Sequence, residues 1–293
     1  MVARVLQTNR IYSLSVWDTS EGSGWDIRDL HITFDISKMS DNSKKDNTAT
    51  IDIYNLSKEK QRFLEKSYIS AVLEVGYVGT GLKRLFAGKV VDASTRSKEG
   101  DVITTLRIGA AYTELNHKTL SKLIPDGSTV KDVLEEVAEA LGTSRNLITG
   151  VNCNNPVLDG YPVSGTPKSV LNEVCNANKM EWSLDDDVLY VRDKGDSHTQ
   201  NMESVVVISQ ASGLIERPYL TKSPDGKSKA NKETKKGGLQ FRCLLNPELV
   251  PGSLIKLEYE ELTGHYRIDS IRAFGGWRDN NWYMDIKLTE RVG

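Results

Sequence analysis

The two ends of this 293-residue sequence carry strand-like segments in the same order. Each set begins with a segment that ends beside an asparagine, Asn55 in the first set and Asn246 in the second. Three apolar segments follow each asparagine: 72–77, 85–91 and 102–107 in the first set, and 255–259, 265–271 and 282–288 in the second. The spacings differ, and a chance similarity between two β patterns is the alternative to a duplication. A duplicated β module without a cluster of catalytic residue types favours a building block over an enzyme.

The length suits two or three domains. A content of 38% hydrophobic and 27% charged residues is ordinary for a soluble globular protein. The net charge of −2 gives no overall attraction to nucleic acid or anionic lipid. The sequence has no apolar run long enough for a membrane helix, so we expect no membrane-spanning segment. The N-terminus lacks the apolar core of a signal peptide, so we expect synthesis in a cytoplasm.

The first segment, residues 1–118, is predicted to form a β-barrel. Residues 30–36 and 48–54 alternate apolar and polar positions, which is the pattern of strands with one buried face. A polar, lysine-rich hairpin loop is expected between these strands. Ser57 is suited to cap a short helix after the second strand. Several short strands separated by turn signals are typical of a barrel or a sandwich.

The second segment, residues 119–202, changes to a helical period. Ser128 is expected to cap a helix that ends at Gly142. Apolar residues recur at helical spacing between them and form one stripe: Val130, Val133, Leu134, Val137 and Leu141. A Thr-Pro pair at 166–167 begins a second helix, and a β-hairpin with an acidic turn at 185–187 follows. We therefore predict a small α+β domain that lies between two β-barrels.

The third segment, residues 203–293, returns to the strand pattern and is predicted to form a second barrel related to the first. A lysine-rich loop at 222–237 interrupts it. Six lysines and two acidic residues give this loop a charge of +4. The lysines are candidate contacts to an acidic partner: Lys222, Lys227, Lys229, Lys232, Lys235 and Lys236. The alternative is a solvated loop, and the lack of interleaved aromatic residues does not support base stacking.

No catalytic, cofactor-binding or metal site is predicted. None of the four histidines has another His, Cys or carboxylate at metal-ligand spacing: His31, His117, His198 and His265. The cysteines are odd in number and widely spaced, which argues against a disulfide framework: Cys153, Cys175 and Cys243. The glycine-rich stretch 76–81 continues into a strand, which favours a hairpin turn over a phosphate loop. Three aspartates at 185–187 favour a solvated turn over a calcium site.

Several short stretches carry a resemblance to a known family: 53–57 (IYNLS), 85–88 (LFAG), 213–215 (GLI), 243–247 (CLLNP), 250–253 (VPGS) and 264–268 (GHYRI). They resemble the baseplate-hub or tail-hub proteins of long-tailed bacteriophages, the late-control protein D-like group. The resemblance covers most of the chain in element order. The long lysine-rich loop departs from the family pattern, which has a tight hairpin at that point.

The resemblance implies a structural protein of the virion and no enzyme or cofactor. It implies a homotrimer, in which two barrels per chain match the six-fold tail tube and the other side carries the three-fold central spike. The expected partners are the tail tube protein, the central spike protein, the tape measure protein and neighbouring baseplate proteins, with DNA only in transit. The expected location is the tail baseplate, after synthesis in the host cytoplasm.

Three alternatives stay open on the sequence. A spike-bearing hub component of a contractile injection or secretion system would share the fold of a tail hub. A stand-alone β module that binds a carbohydrate or a peptide would expose aromatic clusters, for which Trp277 and Trp282 are candidates. A cell-wall hydrolase would depend on acidic residues, but no such site is visible in the sequence.

Overall fold

The chain is mainly β with an α+β segment in its middle, as the sequence predicts. The computed structural model describes residues 9–157, 159–197, 205–220 and 238–290. Its α-helices are α1 (Lys58–Leu64), α2 (Tyr112–His117), α3 (Val130–Leu141) and α4 (Pro167–Ala177). Its strands are β1 (Arg10–Asp18), β2 (Gly24–Ile27), β3 (Ile32–Met39), β4 (Thr48–Tyr54), β5 (Ile69–Tyr77), β6 (Gly81–Lys98), β7 (Asp101–Gly109), β8 (Leu120–Ile124), β9 (Arg145–Ile148), β10 (Tyr161–Gly165), β11 (Met180–Asp185), β12 (Val188–Asp193), β13 (Val206–Ile208), β14 (Tyr219–Leu220), β15 (Leu239–Leu244), β16 (Leu254–Leu257), β17 (Gly264–Gly276) and β18 (Trp282–Glu290). None of the helices in the described ranges has the length and apolar character needed to cross a bilayer.

Thirteen of these strands form one continuous sheet, called here the main sheet. Its hydrogen-bonded order is β14-β15-β18-β17-β3-β4-β7-β6-β5-β1-β2, and β16 and β13 extend from β17. The order has two ends within the described residues, so the two predicted barrels are not closed. A barrel closes only when every edge strand has a partner. Here β3 pairs directly with β17, which joins the strands from both ends of the chain into one open sheet.

The two halves of the main sheet have the same strand connectivity. The antiparallel row is β3-β4-β7-β6-β5 in the N-terminal half and β14-β15-β18-β17-β16 in the C-terminal half. The register of β6 against β7 shifts at Val91, and that of β17 against β18 shifts at Asp269. When the two halves are aligned at these two bulges, Asn55 corresponds to Leu245. The match of Asn55 with Asn246 that the sequence predicts is therefore wrong by one residue. The halves differ at the next strand, because β1 pairs antiparallel with β5 whereas β13 pairs parallel with β16.

Two separate hydrophobic cores hold the chain together. The core of the main sheet collects apolar residues from 12–110 and from 208–288. The second core lies within residues 115–191, and this part is called the insert. In the insert, α3 and α4 pack against each other and α4 packs on β11, where Trp182 is fully buried. The domain boundaries at residues 118 and 202 stay predictions.

The N-terminus of α3 lies one residue beyond the predicted one. Thr129, not Ser128, is the N-cap: its Oγ1 accepts a hydrogen bond from the backbone N–H of Asp132 at 3.4 Å. The backbone N–H of Thr129 donates to Oδ2 of Asp132 at 2.7 Å. This reciprocal pair is a capping box, which requires an acid three residues after the cap. Gly142 ends the helix with a φ of 70°, and Thr166 caps α4, as the sequence predicts.

Candidate assembly surfaces

The second half of β6 is a strand edge without a partner strand in the described part of the chain. β6 has 18 residues, and its first half pairs with β5 as far as Lys89. Beyond Lys89, residues 90–98 pair with β7 on one side only. Most side chains in 92–98 are exposed. A strand edge of this kind presents a row of backbone N–H and C=O groups, which is a template for another strand.

An open groove of about 540 Å³ lies at the start of this edge. Its walls come from the end of α1, the start of β5, α2 and residues 89–93 of β6. Three large side chains in these walls are exposed: Tyr68 by 68%, Val91 by 48% and Tyr112 by 37%. Tyr68 has a φ of 70°, which is uncommon for any residue other than glycine. Clustered exposed apolar side chains of this kind mark a candidate binding surface.

One end of the main sheet, at β14, is a second open edge. β14 pairs with β15 on one side, and no strand among the described residues lies on its other side. Three large apolar side chains in or just before β14 are exposed: Ile215 by 46%, Tyr219 by 48% and Leu220 by 67%. The chain therefore exposes apolar side chains near the β6 edge and at the β14 edge.

A buried ionic cluster joins the insert to the main sheet. Glu181 of β11 accepts a hydrogen bond from Nε of Arg192 at 2.9 Å and also pairs with Arg267 of β17. All three side chains are buried. Nη2 of Arg192 donates to the backbone carbonyl of Ser40 at 2.6 Å. Burial lowers the pKa of Arg192, and the Glu181 carboxylate opposes this by stabilising the charged form.

The end of β3 and the loop between β3 and β4 form the rest of this junction. Lys38 lies 2.8 Å from a carboxylate oxygen of Asp185, and both side chains are nearly buried. Asn47 donates to the backbone carbonyl of Leu184 at 2.9 Å, and the backbone N–H of Leu184 donates to Asn42 at 2.8 Å. The sequence predicts an ordinary polar hairpin loop here. The structure instead buries Asn42 and Asn47 of this loop against the insert, which fixes the insert on the main sheet.

Within the described ranges, the aspartates and histidines do not gather into a site for a metal ion. No group of three or more His, Cys, Asp or Glu side chains in the described ranges could hold one. Asp185 pairs with Lys38, which uses one carboxylate of the acidic turn in a structural contact. His31 lies 3.5 Å from Asp279 and against the ring of Tyr54. His198 lies outside the described residues.

The cysteines are buried thiols without disulfide bonds. Burial raises the pKa of Cys175 and of Cys243 to about 12, and it also raises the pKa of Cys153. A raised pKa keeps the thiol protonated at neutral pH, and the protonated form is a poor nucleophile. These residues therefore act as small apolar side chains in the two cores.

The two candidate tryptophans have different positions. Trp282 is fully buried and packs edge-on against Phe34 at a centroid distance of 5.2 Å, so it belongs to the core of the main sheet. Trp277 is partly buried, against Tyr12 at 5.4 Å. The six lysines predicted as partner contacts all lie in 221–237, which is outside the described residues, so their role stays a prediction. The open edges at β6 and β14 leave no signal in the sequence, because only the strand pairing reveals an edge.

The comparisons with known proteins all lead to phage tails and related machines. The model of the family described as baseplate hub gp41 matches residues 19–286. A 43 kDa tail protein of prophage MuSo2 from Shewanella oneidensis has 9% identity and a TM-score of 0.64, with 97% of this chain and 99% of that chain covered. A tail protein from Neisseria meningitidis has 14% identity and a TM-score of 0.64, with 95% and 96% covered. The E. coli c3393 protein, a component of the type VI secretion system, has 11% identity and a TM-score of 0.61, with 90% and 75% covered. No curated protein matches the sequence.

Proposed function

Because this chain belongs to the baseplate hub gp41 family and is a structural component of a phage tail baseplate, we propose that three copies form a ring within that baseplate. Each copy contributes two sheet halves of the same connectivity, so three copies present six related units. Six units match a six-fold tail tube, and the three copies match a three-fold central spike. The ring is therefore a symmetry adapter and not an enzyme.

The observation that carries this proposal is the pair of open edges at β6 and β14, which belong to two halves of the same connectivity. The two edges are different surfaces of one chain. Contacts between different surfaces are heterologous, and they close into a ring when the rotation between copies allows it. Closure would also remove the unpaired edges, which otherwise template aggregation.

The ring would contact the tail tube protein on one side and the central spike protein on the other, with neighbouring baseplate proteins around it. The tape measure protein and later the DNA would pass through its lumen during genome ejection. A net charge of −2 suits such a lumen, because strong binding of DNA phosphates requires many Lys and Arg contacts.

A second candidate is a spike-bearing hub of a contractile injection or secretion system. The fold similarity to a type VI secretion component of E. coli supports this candidate. The two candidates differ in the particle that contains the chain. In the first, the chain co-purifies with DNA-filled phage particles. In the second, it co-purifies with a DNA-free injection machine.

The test is a cryo-electron microscopy reconstruction of purified tails without imposed symmetry. We expect three copies of this chain around the axis, between the tube and the spike. Quantitative mass spectrometry of the same particles should give three copies per six-subunit ring of tube protein. Six or twelve copies around the axis would overturn the proposal of a trimeric adapter.

A further inference from the structure

We propose that the open edge of β6, residues 92–98, binds strand β14 of a second copy of this chain, with Leu220 of that copy opposite Thr95. This inference rests on the proposed ring and names the surfaces that join its copies. It follows from the internal repeat, because the C-terminal half of the sheet already contains the same contact within one chain.

The first step is the equivalence of β6 and β17. Each is the fourth strand of its row, between its hairpin partner on one side and a shorter strand on the other. Each has a bulge, at Val91 and at Asp269. Residues 92–98 after the first bulge therefore correspond to residues 270–276 after the second.

The second step is that the stretch 270–276 of β17 has a partner strand, whereas 92–98 has none among the described residues on the corresponding side. β3 pairs antiparallel with 270–276, on the side away from β18. The same side of 92–98 is the open edge of β6. One half of the molecule therefore shows how this edge is filled, and the other half leaves it open.

The third step is that β14 is the counterpart of β3. Both are the first strand of their row, and both pair antiparallel with the second strand. Leu220 lies opposite Leu239, and Ile36 lies opposite Ala49. When the two halves are aligned at their bulges, Leu239 of β15 corresponds to Ala49 of β4. Leu220 therefore occupies the position of Ile36. The strand that should fill the β6 edge is thus a β14, and it must come from another copy if each copy uses its own β3 for its own β17.

The register of the contact follows from the same equivalence. Ile36 lies opposite Ala273 of β17, and Ala273 corresponds to Thr95 of β6. The repeat therefore places Leu220 of the second copy opposite Thr95, and Tyr219 opposite Arg96. No other register reproduces the contact that the chain makes internally.

Burial supports this assignment. Ile36 and Ala273 are 0% and 1% exposed where the contact exists. Leu220 is 67% exposed, and Thr95 is also exposed, where the contact is missing. Thr95 lies on the core side of its strand, because its hydroxyl is 3.1 Å from that of the buried Thr104. A strand laid on this edge would bury Leu220 on the core side of the sheet, where Ile36 lies in the other half.

The test is a disulfide between copies. Thr95→Cys and Leu220→Cys are combined in one chain, which is assembled with the other tail proteins and oxidised. Opposite residues of paired strands have Cα atoms about 5 Å apart, within the range of a disulfide. We expect at least a tenfold gain in covalent trimer on a non-reducing gel over either single variant. The three native cysteines are buried and do not compete.

Lys98→Cys combined with Leu220→Cys is the matched control, because three residues along a strand add about 10 Å and exceed the reach of a disulfide. Arg96→Cys with Tyr219→Cys is a second pair in the proposed register, for use if the first double variant fails to fold.

Three copies per particle without a disulfide from either proposed pair would overturn the edge assignment but not the proposed ring. A bond in the Lys98 pair instead would overturn the register. A copy number other than three would overturn the ring itself.

Discussion

Glu181 is a carboxylate that lies between two arginine side chains where the insert meets the main sheet. Its Oε1 atom pairs with both Arg192 and Arg267, and its side chain is 5% exposed. Without the carboxylate, the two guanidinium groups that contact it would repel each other in this low-dielectric site. Glu181 therefore neutralises a buried charge, and it also fixes how β11 of the insert sits against β17.

We predict that Glu181→Gln lowers the free energy of unfolding by about 3–5 kcal/mol, which is the usual cost of leaving buried charges without their partner. The amide keeps the shape of the side chain and can still accept a hydrogen bond. The loss in the free energy of unfolding therefore measures the effect of the charge. Urea unfolding followed by tryptophan fluorescence measures it, because Trp182 lies next to Glu181 in sequence.

Glu135→Gln is the matched control for Glu181. Glu135 lies 3.6 Å from Lys131 on the exposed surface of α3, and the two side chains are 53% and 47% exposed. Exposed pairs at this helical spacing contribute about 0.2–0.5 kcal/mol. An equal loss in the two variants would show that the buried cluster contributes no more than a surface pair.

At the scale of elements, α3 shows how one local interaction decides where a helix begins. Ser128 and Thr129 are both good N-cap residues. Asp132 lies three residues after Thr129 and completes a capping box with it, whereas Lys131 lies three residues after Ser128 and cannot accept a hydrogen bond. The acid therefore selects Thr129 as the cap.

We predict that Thr129→Ala lowers the free energy of unfolding by about 1 kcal/mol, because the backbone N–H of Asp132 loses its side-chain partner. Ser128→Ala is the control and should change it by less than about 0.5 kcal/mol. Thermal unfolding followed by circular dichroism measures both. A larger loss from Ser128→Ala would show that the helix begins at the residue first predicted.

The strands and helices of this chain follow from local patterns, but their joining does not. Alternation in 48–54 and helical spacing in 130–141 depend on neighbours in sequence, so each predicted β4 and α3 correctly. The contact of β3 with β17 joins residues more than 230 positions apart, and no pattern within either strand specifies that partner. The burial of Asn42 and Asn47 in the loop between β3 and β4 depends on the insert in the same way.

At the scale of the whole molecule, the internal repeat shows within one chain the strand contact that we propose between copies. The contact of β3 with β17 is made within the chain, whereas no strand in the described part of the chain pairs with the equivalent edge of β6. A repeat of this kind forms a closed ring only when the last unit of one copy meets the first unit of the next. In the proposed ring, the open edges are the places at which three chains would act as six units, which is the geometry required of a symmetry adapter.

We propose a second, independent route to assembly, through the charge of the lysine-rich loop at 222–237. We predict that replacing five of its lysines with serine weakens incorporation into particles but leaves the thermal midpoint of the isolated chain nearly unchanged: Lys227, Lys229, Lys232, Lys235 and Lys236. The loop has a charge of +4 and almost no apolar residue, so it adds little to a core and can attract an acidic neighbour. Each exposed contact contributes only about 0.2–1 kcal/mol, so several must act together.

The loop variant should lose more incorporation as the salt concentration rises, because screening at 0.15 M already limits the reach of the remaining charges to about 8 Å. Its matched control replaces five exposed lysines elsewhere with serine, which changes the net charge equally: Lys44, Lys45, Lys58, Lys118 and Lys131. Quantitative mass spectrometry of particles assembled at several salt concentrations compares the two variants. If both incorporate equally well at every salt concentration, the loop is a solvated insertion and its lysines contact no acidic partner. A loss confined to the loop variant would place an acidic neighbour beside this loop, because the control has lost the same net charge.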